Sequence, residues 1–289
     1  PRGWGYAAAM VWETRFGSVT LLAIEDGWFH VLPTEWFPES DPAVWAAHAN
    51  YLTPDGRMRL SMGCFLMAGS HGWVMVDSGR GGPPVASTES GTGQMPAALR
   101  TLGVDPSDIR KVIHTHLHID HFGGNLTSGG RLYFPNAQFY VHQRELDYWT
   151  TGPQGATSGV REQLAPIIDA GRLNPIDRDT EVAAGITMIE TEGHTPGHVS
   201  VVAMSDGQRT FITGDVTHHP LQAEHVGWNS VLDVDPPTAA ATRSRVFDSL
   251  DPETLVAAGH YPRPGLGNVI VDDNRRRFIP TAAVARAET

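Results

Sequence analysis

The sequence contains the stretch Val112-Ile113-His114-Thr115-His116-Leu117-His118-Ile119-Asp120-His121-Phe122-Gly123-Gly124, in which an apolar run leads directly into polar side chains. Four ligand-type residues follow the run within six positions, and they are His116, His118, Asp120 and His121. Because the chain turns as it leaves a sheet, such side chains can converge on a small volume. Imidazole and carboxylate groups suit zinc, and also iron, cobalt and manganese. The stretch therefore predicts a metal site at the end of a strand, with Gly123 and Gly124 allowing the backbone to pass closely beneath it.

Three further stretches have a potential ligand after an apolar run. The runs cover 186–191, 211–213 and 255–258, and the ligand-type residues that follow them are His194, Asp215 and His260. Strands that are distant in sequence can end at one shared edge of a sheet, so these residues are expected to meet the first cluster. His198, in the same turn as His194, is expected to support His194 rather than to bind metal.

Composition and length limit the classes of protein to consider. The chain has 289 residues, with 40% hydrophobic and 18% charged residues, and shows no internal repeat or long linker, which predicts a single domain over 1–289. No apolar run approaches the roughly 18 residues of a membrane span. A net charge of −11 argues against a nucleic-acid partner, because phosphate binding needs a basic face. The single cysteine, Cys64, excludes an intramolecular disulfide framework and is expected to be a core residue.

The pattern of short apolar runs and helical segments predicts an α/β fold. Runs rich in β-branched residues, which are typical of strands, cover 19–24, 64–67, 73–76, 112–114, 139–141, 199–204, 210–213 and 255–258. Helical patterns cover 95–102, 143–150, 160–170 and 238–250. Strands dominate both halves of the chain, which favours two sheets packed together with helices on the outside.

Segment 28–45 is unusually aromatic. It contains Trp28, Phe29, Trp36, Phe37 and Trp45, and Pro33, Pro38 and Pro42 are expected to interrupt regular structure. One interpretation is a surface extension or an oligomer contact, with a homodimer as the open alternative. The other interpretation is an apolar wall near a substrate pocket, where convergent aromatic side chains are common.

The first methionine of the sequence is Met10. The chain begins at Pro1, and Met10 is favoured as the native start, so that residues 1–9 are expected to be vector-derived or disordered. No basic, apolar, small-residue signal pattern remains. A cytoplasmic location is favoured, with a secreted or periplasmic location as the alternative if a signal was removed.

The order H-x-H-x-D-H followed by single His, Asp and His resembles the metallo-β-lactamase superfamily of αββα metallohydrolases. This resemblance implies an αββα sandwich of two mixed β-sheets flanked by helices. It also implies two divalent metal ions, with zinc expected and manganese, iron or cobalt as alternatives. The implied ligands are His116, His118 and His194 for one ion and Asp120, His121 and His260 for the other, with Asp215 bridging both. Family members often use a carboxylate at the position of Asp77 to orient a ligand histidine.

Details of the pattern narrow the resemblance. His118 stands where flavodiiron-type relatives have glutamate. True β-lactamases lack a bridging carboxylate, whereas this chain has Asp215 at that position. The remaining resemblance is to acyl-homoserine lactonases and methyl parathion hydrolases, and residues 214–222 are similar to the phosphotriesterase-like side of that group. In the lactonases a tyrosine three residues beyond the bridging aspartate contacts the substrate carbonyl. His218 occupies that place here, which implies a hydrogen bond from His218 to the substrate oxygen.

A hydrolytic mechanism follows from this expected site. Two metal ions about 3.5–4 Å apart can share a water and lower its pKa towards neutrality. The expected activity is hydrolysis of a small neutral ester or lactone, with a metal-bridging hydroxide as nucleophile. Asp120 is expected to take the proton as the bond to the leaving group breaks. Two alternatives stay open, namely a phosphotriesterase similar to methyl parathion hydrolase and a metal-retaining ligand-binding protein without efficient turnover.

Overall fold

The computed structural model describes residues 11–86, 90–152, 155, 158–273 and 275–286. The expectation for residues 1–9, and Met10 as the favoured start, lie outside these residues. Within the described ranges, none of the helices has the length and apolar character that a membrane crossing requires.

Two mixed β-sheets form the centre of the described structure. The first sheet contains β1 (Val11–Phe16), β2 (Val19–Val31), β3 (Met58–Gly69), β4 (Gly72–Val76), β5 (Val85–Ala86), β6 (Ser90–Thr92), β7 (Ile109–Ile113), β8 (Gln138–His142), β9 (Leu173–Ile176) and β17 (Val284–Arg286). Its main strand order is β17-β1-β2-β3-β4-β7-β8-β9, and β6 pairs with β2 and β5. The second sheet contains β10 (Thr180–Ala183), β11 (Ile186–Glu190), β12 (Val199–Ser205), β13 (Gln208–Ile212), β14 (Leu255–Ala257), β15 (Leu266–Asp272) and β16 (Arg275–Pro280), paired in that order.

The α-helices of the described residues lie between these strands in the sequence. They are α1 (Pro33–Trp36), α2 (Pro42–Ala47), α3 (Met95–Thr101), α4 (Ile119–Phe122), α5 (Gln143–Thr150), α6 (Val160–Asp169) and α7 (Pro236–Asp248). Buried residues of α3 and α6 pack on the outer face of the first sheet, and Val246 of α7 packs against Phe211 of the second sheet. The predicted sandwich of two mixed sheets flanked by helices is confirmed.

Side-chain alternation along β2 shows why its apolar run is continuous. Leu21 and Ala23 pack in the core between the two sheets, whereas Leu22 and Ile24 pack in the core between the first sheet and its helices. Successive side chains of a strand point to opposite faces, so a strand covered on both faces needs apolar residues at every position. Cys64 of β3 belongs to the helix-side core and is fully buried, as expected.

Strand direction brings the site residues to one edge of the sandwich. Strand β4 runs parallel to β7, and β13 runs parallel to β14, so the carboxyl ends of each pair lie side by side. The histidine stretch begins directly after β7, while Asp215 and His260 follow β13 and β14. The sheet register therefore gathers residues that are far apart in the sequence.

The aromatic segment contains more regular structure than its prolines suggested. Pro33 is the first residue of α1 and Pro42 is the first residue of α2, and the Asp41 side chain accepts a hydrogen bond from the Ala43 N–H at the start of α2. Proline is tolerated at the first helical position because that N–H has no partner within the helix. The expectation that these prolines interrupt regular structure was wrong at Pro33 and Pro42, where they start short helices.

Candidate metal centre

The structure brings all seven predicted ligand residues together. Their donor atoms form two groups in which every atom lies within 4.8 Å of the others, one with His116, His118, His194 and Asp215 and one with Asp120, His121 and His260. Asp215, His218 and His260 form a third such group. The clustering of donors therefore extends to His218, which the sequence suggested only as a contact to substrate.

The first group is a convergence of three imidazoles. Nδ1 of His118 lies 2.9 Å from Nε2 of His116 and 3.0 Å from Nε2 of His194. His118 thus faces the cluster through the opposite ring nitrogen from the other two histidines. A ligand set of imidazole nitrogens and a carboxylate is typical of zinc and of other first-row divalent metals.

Asp215 lies between the two main groups. Its Oδ2 atom is 3.3 Å from Nε2 of His194 and 3.1 Å from Nε2 of His260, and its Oδ1 atom is 3.3 Å from Nε2 of His121. The carboxylate therefore contacts histidines of both groups at once. A residue in this position could be shared by two metal ions.

The second group combines two buried imidazoles with a more accessible carboxylate. Oδ2 of Asp120 lies 3.8 Å from Nε2 of His121 and 3.7 Å from Nε2 of His260. The Asp120 side chain is 21% exposed, whereas those of His121 and His260 are 3% exposed. Asp120 is therefore the carboxylate of the centre that a molecule in solvent can reach.

Hydrogen bonds behind the centre hold three of the imidazoles from outside. Nδ1 of His121 lies 2.8 Å from Oδ2 of Asp77, and Nδ1 of His194 lies 2.8 Å from Oδ1 of Asp233. Nδ1 of His260 lies 2.6 Å from the carbonyl oxygen of Ser61. These acceptors place the ring proton on Nδ1 and leave Nε2 free to face the centre. Asp77 thus contacts His121, as the family resemblance implied.

The polar atoms inside the centre fit a metal site. Nε2 of His121 and Oδ1 of Asp215 are buried, and neither forms a hydrogen bond with any described residue. Buried polar atoms in native proteins normally have partners, so such atoms need an explanation. Metal ions would supply the missing partners, and the imidazole and carboxylate donors have the chemistry to bind them.

Burial sets the protonation state of the first group. It lowers the pKa of His118 to about 4 and that of His194 to about 3, and it also lowers the pKa of His116 well below its ordinary value. These imidazoles are therefore neutral at pH 7, which is the form that binds metal. Burial disfavours the ionised form of Asp215, but the surrounding histidines, first among them His121, outweigh it and hold the pKa of Asp215 well below its ordinary range.

Gly214 permits a close contact that supports Asp215. Its φ is +53°, and a Cβ atom at this position would lie 2.5 Å from Nε2 of His198. That nitrogen accepts a hydrogen bond of 2.8 Å from the Asp215 N–H. His198 therefore positions the backbone of Asp215, whereas the sequence had suggested that it supports His194.

Gly124 allows the end of the histidine stretch to lie against the loop that follows β4. A Cβ atom on Gly124 would lie 2.0 Å from the carbonyl oxygen of Ser78, which directly follows Asp77. Any larger residue would push the two backbones apart. Gly123 and Gly124 were expected to allow a close passage of the backbone, and the structure contains this close passage.

Glu145 of α5 fixes the two loops that carry the first group. Its buried carboxylate accepts hydrogen bonds from the Leu117 N–H at 3.1 Å and from the Gly197 N–H at 3.0 Å. It also accepts one from Nε1 of Trp149 at 2.7 Å, and the ring of Trp149 lies 5.2 Å from that of His118. Glu145 therefore fixes the spacing of the two loops and the orientation of a tryptophan beside the centre.

His218 is fully buried beside the metal-ligand cluster. Its Nε2 atom lies 3.3 Å from Oδ2 of Asp215, and its ring stacks on that of His260 with centroids 5.2 Å apart. The rings of Trp36 and Phe37 lie 5.8 and 6.4 Å from it. The aromatic segment therefore packs against the side of the centre that His218 occupies.

Sequence reasoning missed Glu145, Asp233 and Arg243. Glu145 lies in the first turn of α5, where an acidic residue is ordinary at a helix start. Asp233 lies in an irregular loop, and Arg243 lies within the polar pattern of α7. None of these positions carries a local signal, because the importance of each depends on contacts with distant segments.

Comparisons with known proteins give the family of the chain. A sequence model described as the Metallo-beta-lactamase superfamily matches residues 64–260. The chain is 29% identical over 168 residues to an N-acyl homoserine lactonase of Bacillus sp., a match covering 52% of this chain and 61% of the relative. It is 33% identical over 126 residues to the N-acyl homoserine lactonase AttM of Agrobacterium fabrum, covering 42% and 46%. These matches span less than two thirds of the length of either relative.

Solved structures share the fold over nearly the whole chain. Hydrolase AbOPH of the beta lactamase superfamily aligns with a TM-score of 0.84 at 25% identity, covering 95% of this chain and 98% of that one. AidC, a dizinc quorum-quenching lactonase, aligns with a TM-score of 0.82 at 23% identity, covering 96% and 99%. The superfamily model matches well over half of the chain and includes all seven predicted ligand residues. The chain belongs to the metallo-beta-lactamase superfamily.

Proposed function

We propose that this protein is a dinuclear metal-dependent hydrolase of a small neutral ester or lactone. The observation that carries the proposal is the convergence of seven imidazole and carboxylate donors on two adjoining groups, with Asp215 in contact with both. A site for a single ion would need only three or four of these residues.

The ligand assignment follows the two groups. His116, His118 and His194 would hold one metal ion, Asp120, His121 and His260 would hold the second, and Asp215 would bind both. Zinc suits this set of nitrogen and oxygen donors. When bound, such a pair of metals supplies Lewis acidity and a water of lowered pKa at neutral pH.

Two side chains of the centre are assigned to the reaction itself. His218 is buried and its ring nitrogens form no hydrogen bond with the described residues, so it can donate to the substrate oxygen on which negative charge develops. Asp120 is the accessible carboxylate, and the oxygen that does not bind metal could accept a proton and deliver it to the oxygen of the leaving group. Neither role requires a serine or cysteine nucleophile.

The surroundings of the centre favour a neutral substrate with an apolar part. Trp36 and Phe37 lie beside His218, and Trp149 lies beside His118. The chain as a whole carries a net charge of −11, which disfavours a polyanionic substrate. The curated relatives are named N-acyl homoserine lactonases, and this supports a lactone over a phosphotriester as the preferred substrate.

An activity panel tests the proposal. Zinc-loaded protein, metal-stripped protein and the Asp215→Ala variant are each assayed with N-hexanoyl homoserine lactone, p-nitrophenyl acetate and paraoxon. We expect the zinc-loaded protein to hydrolyse the lactone or the ester, and both other samples to lose that activity. Preference for paraoxon would favour the phosphotriesterase alternative, and the absence of turnover with all three substrates despite bound zinc would favour the ligand-binding alternative.

A further inference from the structure

Arg243 of α7 carries a completely buried guanidinium group. Its Nε atom donates to the carbonyl oxygen of Val216 at 2.7 Å, and Nη1 donates to the carbonyl oxygens of Val226 at 2.6 Å and Trp228 at 3.0 Å. Its Nη2 atom lies 3.3 Å from Oδ2 of Asp233. A buried charge is costly unless it is paired and hydrogen-bonded, and these contacts meet both conditions.

Asp233 connects this guanidinium to the candidate metal centre. Its Oδ1 atom lies 2.8 Å from Nδ1 of His194, and its Oδ2 atom also accepts a hydrogen bond from the Ser230 N–H at 3.0 Å. An ionised carboxylate only accepts hydrogen bonds, so Nδ1 of His194 carries the proton and Nε2 carries the lone pair. That nitrogen faces Nδ1 of His118 and Oδ2 of Asp215.

Arg243 reaches the centre by a second route through Val216. The carbonyl that accepts its Nε–H belongs to the residue directly after Asp215. The same cation therefore holds both the carboxylate behind His194 and the backbone beside Asp215. Replacing a buried ion pair by apolar residues of similar volume often leaves a protein no less stable. A contribution to folding stability therefore does not by itself explain why this chain has the pair.

We infer that Arg243 and Asp233 are positioning residues for two candidate metal ligands. Together they hold His194 in the tautomer that exposes Nε2 to the centre. Arg243 also holds Asp215 in the orientation for binding metal. The inference rests on the proposed function, because it assigns these two ligands to a metal centre. Partners behind a metal ligand typically change metal affinity by about 10–100-fold when they are replaced. We expect an effect of that size on the metal ion held by His194.

Chelator titration of zinc-loaded protein gives the affinity of both metal ions without an activity assay. The variants are Asp233→Asn, Arg243→Met and Arg243→Lys, with Arg245→Met as the matched control on the exposed side of the same helix. Circular dichroism shows whether each variant is folded, and the visible spectrum of cobalt-loaded protein reports ligand geometry.

The expected results differ among the variants. Asp233→Asn and Arg243→Met lower the affinity for the zinc ion held by His194 by about 10–100-fold and alter the cobalt spectrum. Arg243→Met also releases the backbone beside Asp215, so it lowers the affinity for the second zinc ion as well. Arg243→Lys keeps the charge but loses the planar fork of donors, so its zinc affinity lies between those of wild type and Arg243→Met. Arg245→Met binds both ions as wild type does.

The outcomes separate this inference from the proposal on function. Folded Asp233→Asn and Arg243→Lys proteins with wild-type affinity for both zinc ions overturn the inference and leave the proposed function intact. Wild-type protein that binds no zinc overturns both. If Arg243→Met does not fold, the other two variants decide the question.

Discussion

Nε2 of His218 lies 3.3 Å from Oδ2 of Asp215, yet neither ring nitrogen of His218 forms a hydrogen bond with any described residue. A buried imidazole without a partner pays the desolvation cost of its polar atoms. The proposed reaction would give the ring a partner, because the substrate oxygen could accept a hydrogen bond from it.

Replacement of His218 tests its role as a hydrogen-bond donor. Loss of one such donor typically costs about 10²–10³ in rate, or roughly 3–4 kcal/mol. His218→Ala should therefore lower kcat by about this factor, with little change in KM and a metal content near two per chain. His218→Tyr should recover part of the rate, and more on lactones than on phosphotriesters, because a phenol can donate to the same oxygen.

His219 provides the neighbouring control. Its ring packs against Trp45 and Tyr51, and its Nδ1 atom accepts the Leu221 N–H. His219→Ala should lower the melting temperature, and it should lower kcat less than His218→Ala does. An unchanged kcat in His218→Ala would assign His218 to a supporting role, and a loss of metal from that variant would make it a ligand.

Removal of Asp215 should affect both metal ions together. Its carboxylate contacts histidines of both groups, whereas His260 belongs with Asp120 and His121. Metal analysis after reconstitution should show that Asp215→Ala loses both ions and that His260→Ala loses one. Undiminished metal content in both variants would show that the ligand assignment is wrong.

Hydrolysis of β-lactam antibiotics should be weak at best. Asp215 places a carboxylate at the middle of the centre, where it would repel the carboxylate that penicillins and carbapenems carry. An assay with a penicillin and a carbapenem should give turnover far below that of the preferred ester or lactone. Efficient turnover of either antibiotic contradicts this interpretation of Asp215.

Glu25 should make folding stability depend on pH. Burial raises the pKa of Glu25, but hydrogen bonds and charge interactions with Arg59 and Arg263 outweigh burial and hold it below its ordinary value of 4.5. A carboxyl with a lowered folded-state pKa stabilises the protein above its unfolded pKa, and this stabilisation is lost as the pH falls through the folded value. Glu25→Gln should thus reduce the free energy of unfolding by about 2 kcal/mol at neutral pH.

Urea unfolding of metal-free wild type and Glu25→Gln at a series of pH values measures this effect. The difference between the two proteins should be constant above the ordinary value of 4.5 and shrink below it. A difference that does not change as the pH falls would show that the ionisation of Glu25 is not its source.

The convergence of the candidate ligand residues could be predicted because each follows a strand. His116, Asp215 and His260 each lie three residues beyond the end of a buried apolar strand, and strand ends meet at the edge of a sheet. The sandwich could be predicted for a related reason, since strands such as β2 are apolar on both faces. Local sequence pattern was sufficient for these features.

Other features depend on contacts that local pattern does not contain. Asp233 lies 39 positions from His194, and its role comes from a loop that folds back onto the site. The strand Arg275–Pro280 has little apolar character because it forms an edge of the second sheet and exposes much of its length. Its polar sequence therefore gave no strand signal.

The number of metal ions per chain tests the central claim most directly. Metal-stripped wild-type protein is reconstituted with excess zinc, freed of unbound metal, and measured by mass spectrometric metal analysis against protein concentration. Seven convergent donors with a shared Asp215 predict close to two zinc ions per chain, and Asp215→Ala serves as the variant with both sites impaired. A content of one zinc ion or fewer after full reconstitution would contradict the dinuclear centre.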